Sequence, residues 1–142
     1  MTINQLQNDI IDEFSLFSDW TEKYEYLIDM GKSLPLIDET LKTGDNLIKG
    51  CQSQVWLDAI VDDSGIVKFT ADSDAIITKG IIAMLIRVLS GHTPEDIVQT
   101  ELYFIDKVGL KEHLSLTRAN GLSMMVKKMK MYGLAYMAKT DS

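Results

Sequence analysis

The sequence predicts an α+β domain, with helices packed on a small antiparallel sheet of two or three strands. Three observations carry that prediction. Two runs rich in β-formers, Val55 to Val61 and Ile66 to Thr70, flank the turn residues DDSG at 62–65. Apolar residues at helical spacing occupy the chain on both sides of this pair. A two-stranded hairpin is marginal by itself, so it must lie on those helices or gain another strand.

In chain order, Leu6, Ile10, Phe14 and Phe17 give an amphipathic helix over residues 3–14. Ser18 or Asp19 then caps a second helix whose stripe is Trp20, Tyr24, Leu27 and Ile28, with Gly31 as its stop. Leu34 precedes Pro35 and is held extended. Residues 36–50 read as mostly irregular chain, in which Asn46 to Lys49 is the candidate third strand. After the hairpin, residues 75–90 are helical and end at Gly91. Thr93-Pro94-Glu95-Asp96 combines a capping hydroxyl, proline at the first position and acids in the first turn, a helix start. A short helix follows there, and another lies around residues 101–108. Thr117 or Ser115 caps a long last helix with Leu122, Met125, Val126, Met129, Tyr132 and Tyr136 on its apolar face.

Length and composition bound the function. The 142 residues fit one domain spanning 1–142, with 46% hydrophobic and 25% charged residues. The net charge of −7, without a basic tract, excludes a nucleic-acid backbone binder. Charge is segregated: residues 1–63 hold 13 acids and 4 bases, residues 64–142 hold 8 acids and 10 bases. That asymmetry suits docking on a protein partner, although an ordinary solvated surface reads the same way. The most apolar run, Ile81 to Leu89, contains Arg87 and is too short for a bilayer of about 30 Å. Residues 1–10 lack the basic and apolar regions of a signal peptide, so the expected location is the cytoplasm, away from membranes.

The chain has one cysteine, Cys51, in GCQSQVW at 50–56. A single thiol excludes an internal disulfide, a redox pair and a self-contained cysteine metal site. His92 and His113 are 21 residues apart without ligand spacing, so no metal is expected. There is no phosphate-binding glycine loop and no GxSxG elbow. Cys51 can be a small buried hydrophobe. Its flanks point elsewhere: Gly50 permits a sharp turn, Gln52, Ser53 and Gln54 are polar, and apolar alternation begins only at Val55. Thiol chemistry needs the thiolate, for which Lys49 is the nearest cation in sequence. Without a second cysteine the thiol acts as a hydrolytic nucleophile, with His113 as base, or as a carrier exchanging a group between proteins. A third reading is an interaction module with a structural cysteine.

These pieces resemble the SufE family, sulfur acceptors for SufS-type cysteine desulfurases. The matching segments are FSDWTEKYEYLIDMGKSLP, IKGCQSQVWL, DSDAIITKGIIAMLI, TPEDIV and LTRANGLSMM, spread over about residues 14–130 in the family's order. GCQSQVW is the most specific of them. The resemblance implies a fold similar to IscU scaffolds and a persulfide carried on Cys51. The sulfur comes from the desulfurase, whose turnover is stimulated, and goes to a SufBCD-type iron–sulfur scaffold. No cofactor is expected in this chain, since pyridoxal phosphate belongs to the desulfurase. CsdE-like carriers and their CsdA-type desulfurases share the motifs, and a homodimer is compatible with them.

By the same resemblance, Arg118 steadies an anionic sulfur or touches the desulfurase, unless it is an ordinary surface arginine. Asp74 shapes the loop over the cysteine, or caps the helix starting near Ala75. His113 matches a family histidine and can be purely structural. Gln52, Ser53 and Gln54 hold the loop or line the thiol site, and Trp56 reads as core. A carried persulfide needs shelter from small thiols, so Cys51 is expected in a shallow apolar recess from which it moves outward to meet its donor.

Overall fold

The computed structural model describes residues 1–140. Helix α1 (Ile3–Ser15) is capped by Thr2, whose hydroxyl accepts from Gln5 N while the Gln5 side chain accepts from Thr2 N, a reciprocal cap. Helix α2 (Trp20–Lys32) is capped by Asp19, which accepts from Glu22 N. Strands β1 (Val55–Val61) and β2 (Val67–Ser73) pair antiparallel, with Val55 opposite Ser73 and Val61 opposite Val67. Asp62 closes their turn by accepting from Ser64 N and Ile66 N. Helix α3 (Ile76–Leu89) follows, then α4 (Pro94–Gln99), capped by Thr93. The short helices α5 (Phe104–Lys107) and α6 (Leu110–His113) lead to α7 (Leu116–Thr140).

The apolar helix α3 is the centre of the molecule and packs on β2, α2, α1 and α7. The alternate residues Val55, Leu57, Ala59, Val67, Phe69 and Ala71 point from the hairpin into one core, which they share with Ile81, Ile82, Met84, Leu85 and Leu89 of α3. Helix α7 contributes Leu122, Met125 and Met129 to the same core. It is also fastened to the sheet, because the hydroxyls of Tyr132 and Tyr136 donate to the carbonyls of Leu57 and Ala59 at 3.3 and 2.7 Å. The cysteine loop thus leads into β1 with a rigid strand on one side and two long packed helices beneath.

Three features differ from the expectations. Gly31 is not a stop: α2 continues to Lys32, and Gly31 lies where α2 crosses α3. A Cβ on Gly31 would stand 3.1 Å from Gly80 N, and one on Gly80 would stand 2.3 Å from the Leu27 carbonyl oxygen. Glycine here serves close approach of two helices. The third strand is reduced to single bridges, Leu47 with Trp56 and Leu36 with Ala71, because a 3₁₀ turn at Gly44–Asn46 and the turn at Gly50 leave no room for a ladder. The segment 36–50 is nonetheless pinned. The Lys42 ammonium is 2.7 Å from Asp72 and lies over the half-buried Trp56 ring, while Lys79 approaches Asp72 at 3.3 Å. Finally, the helix expected around residues 101–108 shrinks to one turn at Phe104–Lys107. Among the described residues no helix is long and apolar enough to cross a membrane.

Candidate functional site

Gly50 adopts φ +89°, a left-handed conformation that costs an L side chain strain. The turn it makes sends Cys51 back toward α7. The approach is close: a Cβ on Gly50 would lie 3.0 Å from Cγ of Met124, and one on Gly121 would lie 3.4 Å from the Cys51 Sγ. The Cys51 thiol donates to the Gly121 carbonyl at 3.7 Å. Cys51 is half-buried and packs against the edge of the core. Burial pushes its thiol above the ordinary value, because a buried thiolate loses hydration. The resting cysteine is therefore a sheltered, protonated thiol.

The sulfur faces a cavity of about 300 Å³. Gln52 and Ser53 form its lip, Thr78 and Ile81 of α3 and Met125 of α7 its depth, and Arg118 one side. The recess is therefore mixed in character, apolar at Ile81 and Met125 and polar at Thr78, Ser115, Thr117 and Arg118, and not the apolar pocket expected. Arg118 is exposed in the first turn of α7, where its backbone N–H donates to Ser115 Oγ, so Ser115 makes the cap. Its guanidinium can meet an anion at the cavity mouth.

Asp74 and Gln54 hold the far foot of the loop. Asp74 Oδ1 accepts from Gln54 N at 3.0 Å, and Asp74 N donates to the Gln54 carbonyl at 3.3 Å. Asp74 thus shapes the cysteine loop and does not cap α3, whose N-cap Ala75 has no side-chain bond. At the near foot, Ile48 N donates to the Val55 carbonyl at 2.8 Å.

His113 is placed otherwise. Its ring stacks on Trp20 at 3.9 Å between centroids, its Nδ1 lies 3.0 Å from the Gly109 carbonyl, and its own carbonyl accepts from the Tyr24 hydroxyl. It is not among the residues lining the Cys51 cavity. Lys49 is exposed and lines a neighbouring groove. Among the described residues no cluster of three or more histidine, cysteine or carboxylate groups is arranged to hold a metal. Sequence reasoning missed Thr78 and Gly121 as site residues. The visible signal for Gly121 was a glycine inside a helical run; Thr78 had none.

Comparison with known proteins decides the family. A sequence model of SufE, described as an Fe-S metabolism associated domain, matches residues 8–133. The chain belongs to the SufE family. It is 39% identical over 125 residues to an uncharacterized SufE-like protein of Rhizobium meliloti, covering 85% of this chain and 89% of that protein. It is 40% identical over 127 residues to another uncharacterized SufE-like protein, from Rhizobium etli, covering 85% and 84%. Among solved structures, the solution structure of a hypothetical protein from Thermus thermophilus superposes with a TM-score of 0.78 at 17% identity, over 94% of this chain and 96% of that one. That likeness concerns the fold alone. The SufE family is associated with Fe–S metabolism.

Proposed function

We propose that this protein is a sulfur carrier: Cys51 takes the outer sulfur from a persulfide on a SufS-type cysteine desulfurase and passes it to a SufBCD-type scaffold. In the first step the Cys51 thiolate attacks the outer sulfur of the donor's persulfide. The bond between the donor's two sulfurs breaks, its thiolate leaves and takes up the proton given by Cys51, and a persulfide remains on Cys51. Sulfur and electrons balance without an external oxidant. Clearing the donor's cysteine frees the desulfurase for another turnover, which is how the carrier stimulates it. Pyridoxal phosphate acts in the desulfurase, and the carrier works in the cytoplasm.

The observation that carries this reading is the sheltered single thiol beside a cavity. A hydrolytic nucleophile needs a base within reach, whereas Cys51 hydrogen-bonds to the Gly121 carbonyl and His113 is engaged with Trp20 and Gly109. A carrier needs room for one more sulfur and protection from small thiols, and the half-burial of Cys51 beside a cavity of about 300 Å³ supports that reading. Arg118 is suited to steady the anionic persulfide, and Gln52, Ser53, Gln54 and Asp74 to hold the loop. The test is to incubate the protein with a SufS-type desulfurase, pyridoxal phosphate and cysteine and to weigh it intact. Wild type gains the mass of one sulfur atom and Cys51→Ser gains none; an unchanged wild-type mass refutes the carrier.

A further inference from the structure

A second groove lies beside the thiol cavity, between the turn at Gly44–Asn46 and helix α7, with a volume of about 420 Å³. Two methionines line it, Met124 half-buried and Met131 51% exposed. Lys49, Lys127 and Lys128 also line it, against the single acid Asp45. Neither Lys49 nor Lys127 enters an ion pair among the described residues, and Lys128 sits over the Tyr132 ring. In a chain of net charge −7 this is a local reversal of sign. Such a patch attracts carboxylates and steers their approach.

The groove and the thiol cavity lie on either side of Gly50 in the chain. Lys49 borders the groove, Cys51 borders the cavity, and Gly50 joins them. Met124 lies under Gly50, within 3.0 Å of where a Cβ would stand, and also lines the groove. A side chain entering the groove must meet Met124. The thioether is flexible, and its displacement removes the support beneath the turn that holds Cys51 inward.

We infer that this groove is the docking site for an acidic segment of the sulfur-donating protein. The segment's carboxylates meet the three lysines, and its apolar side chains displace Met124 and release the Cys51 loop. The inference rests on the carrier reading above and adds where the donor binds and how binding exposes the thiol.

The test uses the full-length protein and a SufS-type desulfurase, with stimulation measured against carrier concentration. Lys127→Glu combined with Lys128→Glu raises the half-saturating concentration roughly tenfold or more and flattens its salt dependence. Maximal stimulation at saturation is retained. Asp45→Asn acts in the opposite direction and lowers the half-saturating concentration, a response that a loss of folding cannot mimic. If wild type accepts sulfur but the double variant half-saturates where wild type does, the docking site is refuted and the carrier reading stands. If wild type accepts no sulfur from the desulfurase, both fall. If sedimentation shows the double variant changing only self-association, the groove houses a second copy of this chain and the inference is overturned.

Discussion

Two seams in this molecule use glycine to bring backbones together, and they behave oppositely. Where α2 crosses α3, Gly31 and Gly80 meet, and a Cβ on Gly80 would stand 2.3 Å from the Leu27 carbonyl oxygen. The obstructing atom is backbone inside a packed core, so nothing can give. Where the cysteine loop meets α7, a Cβ on Gly50 would press on the flexible Met124 side chain at 3.0 Å, and one on Gly121 would rest at 3.4 Å from the Cys51 sulfur. The neighbours there are side chains, and open volume lies on both sides of the loop. The first seam fixes the scaffold; the second surrounds one thiol with side chains and open volume.

The contrast breaks most visibly at Gly80. Gly80→Ala destabilises the protein by about 3 kcal/mol or more, because overpacking against backbone forces the helices apart. Denaturant midpoints check this, and a near-neutral Gly80→Ala removes the rigid half of the comparison. At the other seam, Gly121→Ala keeps stability within about 1 kcal/mol of wild type, since alanine's helix propensity offsets the crowding. The methyl takes space the outer sulfur would use, so persulfide on Cys51 is stripped faster by glutathione, followed by intact mass. Equal lifetimes in the two proteins separate Gly121 from sulfur storage.

The smallest effect is the thiol's titration. Burial raises the Cys51 pKa in the folded state. Alkylation by iodoacetamide therefore reaches half its maximal rate at a higher pH in the native protein than in urea. The sign for stability follows. The folded state binds the proton more tightly, so the contribution is fully present below the unfolded thiol's pKa and is lost as pH rises through the folded value. A native profile at or below the unfolded one contradicts the sheltered resting state.

Much of the rigid seam was legible in the sequence, and much of the mobile one was not. Periodicity placed α1, α2, α3 and α7, and the DDSG turn placed the hairpin, because each rests on local chemistry. Gly31 misled, since a glycine that ends a helix and one that admits a neighbour look alike until the neighbour is known. Asn46 to Lys49 was the third-strand candidate, and of it Leu47 forms one bridge, since the turns on either side cut the ladder short. Asp74 read either as a loop former or as a helix cap, because the helix begins right beside it in sequence, and its partner Gln54, which decides for the loop, lies 20 residues back. Cys51 and its polar flank were visible. The cavity was not, because Thr78 and Ile81 come from α3, Gly121 and Met125 from α7, and only packing brings them to the sulfur. The direction of Lys49 was likewise undetermined until α7 supplied Lys127 and Lys128 beside it.

The proposed docking frees the cysteine loop while the scaffold stays fixed. Hydrogen exchange resolved to short peptides, with and without the desulfurase, tests it directly. Residues 47–53, including the Ile48 amide now bonded to Val55 at 2.8 Å, exchange faster in the complex, while Ile76–Leu89 of α3 is unchanged. Equal or slower exchange across 47–53 in the complex refutes release of the loop on docking.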